Sequence, residues 1–285
     1  MSGAWLVPPP ARAVGGGATA RLFCFPHAGS GAGFYRGWRR SPHTGPAGIE
    51  VCVVVLPGRE ARLRELPCVT MEQVIPPLVE ALRPWLDDLP FAFFGHSMGA
   101  AVAYEAARRC AADGRPPRHL FVSGRRAPHL PARRRSWATL DDEAFAASVA
   151  SLGGTPPEVL EQPELLRLFL PTLRADFELN DGYRPLPGPP LACPVSAFVG
   201  DADPEADSAE TAAWSRVTSG PFRARSLPGG HFYLQDDPDA LLRTIARELR
   251  PAAHGPDVRD TDARDTDRRD TDTRSTGSPR AGVAR

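Results

Sequence analysis

The 285-residue sequence contains no lysine, so all 34 of its basic residues are arginine. That absence excludes a Walker-type phosphate lysine, a Schiff base to pyridoxal phosphate, a Ser-Lys dyad and a lysine general base. Arginine, with a pKa above about 12, does not give up its proton and cannot stand in for any of them. Net charge is also missing, since 34 acidic residues balance the arginines, and this argues against nucleic acid as a partner. Cysteine is sparse: Cys24, Cys52, Cys68, Cys110 and Cys193 are widely spaced, odd in number and form no CxxC pair, so neither a disulfide framework nor a zinc knuckle is indicated. A reduced, cytoplasmic setting is the expectation. No apolar run approaches the ~18 residues of a membrane span, and no basic segment followed by an apolar core opens the chain, so neither membrane insertion nor secretion is expected. Abundant Ala and Gly, 32 prolines and the use of Arg for Lys fit a GC-rich coding sequence.

Residues 251–285 carry the near-repeat Arg259-Asp260-Thr261-Asp262, Arg264-Asp265-Thr266-Asp267, Arg269-Asp270-Thr271-Asp272 and almost no apolar side chain. This composition predicts a disordered tail. Residues 1–19, with Pro8-Pro9-Pro10 and Gly15-Gly16-Gly17, read as a flexible lead-in in which Trp5-Leu6-Val7 could add a short edge strand. One domain is expected over residues 20–250. Within it, strands are predicted at Arg21–Phe25, Val51–Leu56, Phe91–Phe94, His119–Ser123, Pro194–Val199 and Arg223–Leu227, all buried on both faces. Helices are predicted at Met71–Leu86, Met98–Ala112, Ala206–Val217 and Pro238–Leu249. Strands alternating with helices of this length imply an α/β fold, a mostly parallel sheet flanked by helices. The segment 130–190 has apolar residues at helical spacing (Leu165, Leu166, Leu168, Phe169, Leu173) but no convincing strand, and is read as a helical lid insertion across the carboxyl ends of the strands.

Gly95-His96-Ser97-Met98-Gly99 follows an apolar strand and opens a strong helix, the context a nucleophile elbow requires. Ser97 is the candidate nucleophile, at the positive end of the helix, and the Met98 amide is free to donate to an oxyanion. A serine hydroxyl needs a base, and the base needs an orienting acid. His231, after Gly229-Gly230 and past the last strand, is the candidate base. In Gly200-Asp201-Ala202-Asp203-Pro204 the candidate acid is Asp203, with Asp201 as the alternative. A second oxyanion donor is expected from the loop after the first long strand, where the Ala28 amide is favoured. His96 is read as a packing or loop residue.

Six motifs together resemble the type II thioesterases, stand-alone α/β-hydrolases associated with polyketide and nonribosomal peptide synthases. They are Phe25-Pro26-His27-Ala28-Gly29, Leu56-Pro57-Gly58-Arg59-Glu60, Gly95-His96-Ser97-Met98-Gly99, Ser123-Gly124-Arg125-Arg126-Ala127-Pro128, Leu173-Arg174-Ala175-Asp176-Phe177 and Gly229-Gly230-His231-Phe232. The resemblance runs over about residues 20–250; Ser30 departs from it, where the family usually repeats glycine. It implies catalysis by Ser97, Asp203 and His231, with Ala28 and Met98 as oxyanion donors. The implied substrate is an acyl group on the phosphopantetheine arm of an acyl- or peptidyl-carrier protein, removed to edit stalled or misprimed synthases. No cofactor and no metal are implied. The competing readings are a general esterase, lipase or acyltransferase on the same fold, and a non-catalytic acyl- or partner-binding protein. Arg125, Arg126 and Arg133, Arg134 and Arg135 form the most concentrated basic stretch of the domain, offering either carrier docking or a solvated surface.

Overall fold

The computed structural model describes residues 5–10, 17–131, 133, 137–153 and 162–250. The tail expected over 251–285 and most of the lead-in lie outside these residues. Seven strands form one sheet: β1 (Leu6–Val7), β2 (Ala20–Phe25), β3 (Ile49–Val54), β4 (Phe91–His96), β5 (His119–Ser123), β6 (Val195–Gly200) and β7 (Phe222–Leu227). Their spatial order is β1-β3-β2-β4-β5-β6-β7. All neighbours are parallel except β1, which runs antiparallel to β3 with Leu6 opposite Val54. Among the described residues the α-helices are α1 (Met71–Leu82), α2 (Met98–Ala112), α3 (Asp142–Ala150), α4 (Pro163–Gly182), α5 (Ser208–Ala212), α6 (Tyr233–Asp236) and α7 (Asp239–Leu249). This is the mostly parallel α/β-hydrolase arrangement expected from the sequence.

Side chains alternate across the central strands, and both faces are covered, which is why these strands read as unbroken apolar runs. On one face Phe23, Phe25, Val54, Phe93 and Val122 pack under α1 and α2. On the other, Leu22, Cys24, Val53, Phe94, Phe121 and Phe198 meet α7 and the aromatic pair Tyr35 and Trp38. β7 differs from the expectation that every strand is buried on both faces. As the last strand of the order it has no fully buried residue, and Arg223, Ala224 and Ser226 are exposed.

Local chemistry moves several element ends. α1 runs through Pro76 and Pro77, stops at Leu82 and tightens to a 3-10 turn at Arg83–Trp85, where Pro84 supplies no N–H. The helix expected over Ala206–Val217 starts only at Ser208. Asp207 caps it, accepting from the Glu210 amide at 2.8 Å while the Glu210 carboxylate accepts from the Asp207 amide at 3.2 Å. Between β5 and β6 the insertion supplies α3, α4 and a 3-10 turn at Trp137–Thr139, with a small core of its own made by Phe145, Val149, Leu170, Leu173 and Phe177. Of the apolar residues at helical spacing, Leu168 and Phe169 are exposed rather than part of this small core.

Candidate active site

The turn between β4 and α2 forces Ser97 to φ 54° and ψ −118°, a conformation that non-glycine residues rarely adopt. Its neighbours have no room for a side chain. A Cβ at Gly95 would lie 2.2 Å from the Gly99 carbonyl oxygen, and one at Gly99 would lie 2.0 Å from the Phe25 oxygen. The Ser97 amide donates to the Ser123 carbonyl at 2.9 Å, tying the turn to the end of β5. Met98 is the first residue of α2, so its N–H has no acceptor within the helix.

His231 follows β7 and is buried, and its Nδ1 lies 3.0 Å from both carboxylate oxygens of Asp203. That contact leaves Nε2 as the ring nitrogen available for proton transfer. Asp201 does something else: it is exposed and accepts from the Gly229 amide at 2.9 Å, bracing the glycine pair that turns the chain back toward the sheet. The structure thus brings Asp203, not Asp201, to the histidine. Ala28, Ser97, Met98 and His231 line one cavity of about 590 Å3, together with Val149, Leu152, Phe169, Leu173 and Phe177 of the insertion. Its size is that of a small-molecule site.

Several residues at this site carry no catalytic assignment from the sequence. His96 is fully buried; its Nδ1 lies 2.9 Å from the Ser123 hydroxyl, which in turn is 2.7 Å from the Tyr233 hydroxyl. Its ring stands 4.9 Å from the His231 ring. His27 packs edge-on against Phe34 and Phe232. Burial, reinforced by His231 and Arg59, pushes the His27 pKa down to about 3, and burial also holds His96 well below the usual range. Both imidazoles are therefore neutral beside the candidate base. Gly124, at φ +58°, keeps this cluster compact, because a Cβ there would meet His96 at 2.5 Å and His231 at 3.2 Å.

The basic stretch separates into different roles. Arg125 is neither solvated nor available for docking: it is buried, and its Nη1 donates to Asn180 Oδ1 at 2.6 Å and lies 3.4 Å from the Ser97 carbonyl. Arg133 bonds Asp207 and, at 2.8 Å, Glu210. Arg126 is half-buried in the cavity wall. Arg134 and Arg135 lie outside the described residues. The thiols offer no competing nucleophile in the core, since burial pushes Cys52 and Cys110 up to about 12 and Cys193 to about 11.

Comparison with known proteins places these features in a family context. Residues 20–249 match the thioesterase domain model. The chain is 44% identical over 241 residues to thioesterase PikA5 of Streptomyces venezuelae, covering 84% of each chain. It is 39% identical over 238 residues to the gramicidin S biosynthesis protein GrsT of Aneurinibacillus migulanus, covering 83% of this chain and 91% of that one. Among solved structures, the type II thioesterase BorB of the borrelidin biosynthetic cluster superposes with a TM-score of 0.77 at 38% identity, covering 88% of this chain and 99% of BorB.

Proposed function

Since the chain belongs to the thioesterase family, as a type II thioesterase of the kind found in polyketide and nonribosomal peptide clusters, we propose that it frees acyl groups from the phosphopantetheine arm of carrier domains by an acyl-serine route through Ser97, His231 and Asp203. The observation that carries the residue assignment is the His231 ring, held by both oxygens of the Asp203 carboxylate in the cavity that Ser97 lines.

In this reading His231 Nε2 takes the Ser97 hydroxyl proton as Oγ attacks the thioester carbonyl. The negative charge that develops on the carbonyl oxygen is met by the Ala28 and Met98 amides. Collapse of the tetrahedral intermediate breaks the carbon–sulfur bond, and His231 protonates the departing thiolate. A water molecule, deprotonated by the same nitrogen, then hydrolyses the Ser97 ester and releases the acid. Asp203 holds the tautomer and stabilises the imidazolium. The apolar wall from α3 and α4 suits an acyl chain, and removal of stalled or misprimed acyl groups is the biological role that follows from the chain's relatives.

Ser97→Ala is expected to abolish hydrolysis while leaving carrier binding intact, as read by mass spectrometry of acyl-carrier protein before and after incubation. Retained hydrolysis rejects the mechanism. Turnover of acyl-carrier protein above that of the matching oxygen ester supports a thioesterase over a general esterase, and the reverse order contradicts it.

A further inference from the structure

The loop that carries Ala28 is held by charged side chains that the catalytic scheme does not use. Asp176 projects from the middle of α4 and is almost fully buried. Its Oδ2 accepts from the Gly29 amide at 2.7 Å and from Arg59 Nη1 at 2.8 Å, and its Oδ1 accepts from Arg59 Nη2 at 2.6 Å. Arg59 Nη1 also donates to the Ser30 carbonyl at 3.0 Å. On the far side of the loop, the Ala32 amide donates to Glu60 Oε1 at 2.7 Å, and Glu60 is the only described non-glycine residue besides Ser97 at positive φ. The fit is close in apolar terms too, since a Cβ at Gly29, at φ +76°, would stand 2.4 Å from Leu173 Cδ1 of α4.

These contacts determine where the Ala28 N–H points. The His27 carbonyl accepts from the Ser30 amide at 3.1 Å. In a planar trans peptide the C=O and N–H are opposed, so anchoring that carbonyl aims the Ala28 N–H the other way. The next peptide is anchored in turn by Asp176 through the Gly29 amide. The amides of Gly29, Ser30 and Ala32 are committed within the loop and its braces, and the Ala28 amide, in the cavity wall, remains available to a ligand.

We propose that Asp176, paired with Arg59, is a positioning residue for the oxyanion hole: the insertion helix holds the Ala28 amide in its donating orientation through the Gly29 N–H. The proposal rests on the assignment of Ala28 as an oxyanion donor. It explains why a carboxylate and a guanidinium are buried here, although an ion pair of this kind contributes little to stability over an apolar replacement.

Two charge-neutral double variants separate the acceptor from the ion pair. R59M/D176N retains an amide oxygen for the Gly29 N–H, whereas R59M/D176L has similar volume and no acceptor. Neither leaves a buried charge unpaired. Losing one oxyanion donor costs roughly 10²–10³ in kcat, and with a misaimed donor R59M/D176L is expected to fall at least about tenfold below R59M/D176N in kcat on a short acyl-N-acetylcysteamine thioester. KM should agree within about twofold, since the ground-state carbonyl depends little on the donor. An alkylboronic acid, which forms a tetrahedral adduct on a nucleophilic serine, should lose affinity by the same factor as kcat. Equal kcat and equal boronate affinity in the two variants overturn the proposal. If the leucine variant does not fold, R59M/D176A carries the same expectation with the side chain removed. Ser97→Ala tests the acyl-serine reading separately, because it abolishes hydrolysis whatever the double variants do.

Discussion

At the residue scale, the division of labour between Asp201 and Asp203 is the sharpest that the site offers. They are two residues apart on the same turn, yet one carboxylate braces the Gly229 amide and the other faces the His231 ring. Losing the orienting acid while keeping its shape leaves the histidine in the wrong tautomer. Asp203→Asn is therefore expected to lower kcat by about 10⁴-fold, whereas Asp201→Asn, which keeps an oxygen for Gly229, should change it by less than about threefold. Steady-state kinetics on one thioester decides this, and a comparable loss in both variants would refute the assignment.

The elements bring a pH dependence of their own. His119 opens β5, stacks on Phe121 with ring centroids 4.1 Å apart and reaches the Ser196 hydroxyl of β6 at 3.0 Å. Burial lowers its pKa to about 4, as it lowers His27 to about 3. Both folded values lie below the unfolded value of about 6.5, so the unfolded chain binds more protons across that interval. The stabilisation is complete above about pH 6.5 and is lost as pH falls toward the folded values, at up to about 1.4 kcal/mol per pH unit for each group. Urea melts between pH 7.5 and 5 should show a midpoint that falls below pH 6.5. His119→Gln should remove one group's share of that slope; an unchanged slope would show that His119 titrates normally.

For the whole molecule, the cavity is an assembly of distant segments: the loop after β2, the turn after β3, the elbow, the end of β5, the insertion and the loop after β7. Arg126 lies in its wall beside Arg184 and Arg133. Burial lowers its pKa, and the neighbouring arginines add to this against the pull of Glu210 and Asp181. An anionic ligand would relieve that crowding. If the carrier and its phosphate approach here, Arg126→Glu should raise KM for acyl-carrier protein at least about fivefold and leave KM for a small acyl thioester unchanged. Equal effects on both substrates would remove Arg126 from carrier recognition.

Much of this molecule was legible without coordinates, for physical reasons. Strands buried on both faces must be apolar runs, so β2 to β6 and a mostly parallel sheet showed directly in the residues. A strained elbow needs glycine on both sides of its serine, which marks Ser97, and the Gly-x-x-Asp and Gly-Gly-His turns point to Asp203 and His231. Solvent at an edge was harder to read, because the exposure of β7 depends on which strand is last in the sheet. The buried partners were hidden altogether. Asp176 and Arg59 stand in two of the motifs that carry the resemblance, yet nothing local says that they meet each other, 117 positions apart, or that Asp176 reaches the Gly29 amide. Local propensity and steric need are written residue by residue and determine the elements and the turns. The pairing of buried charges depends on which surfaces the fold presses together, and only the tertiary structure decided that the insertion helix braces the loop carrying Ala28.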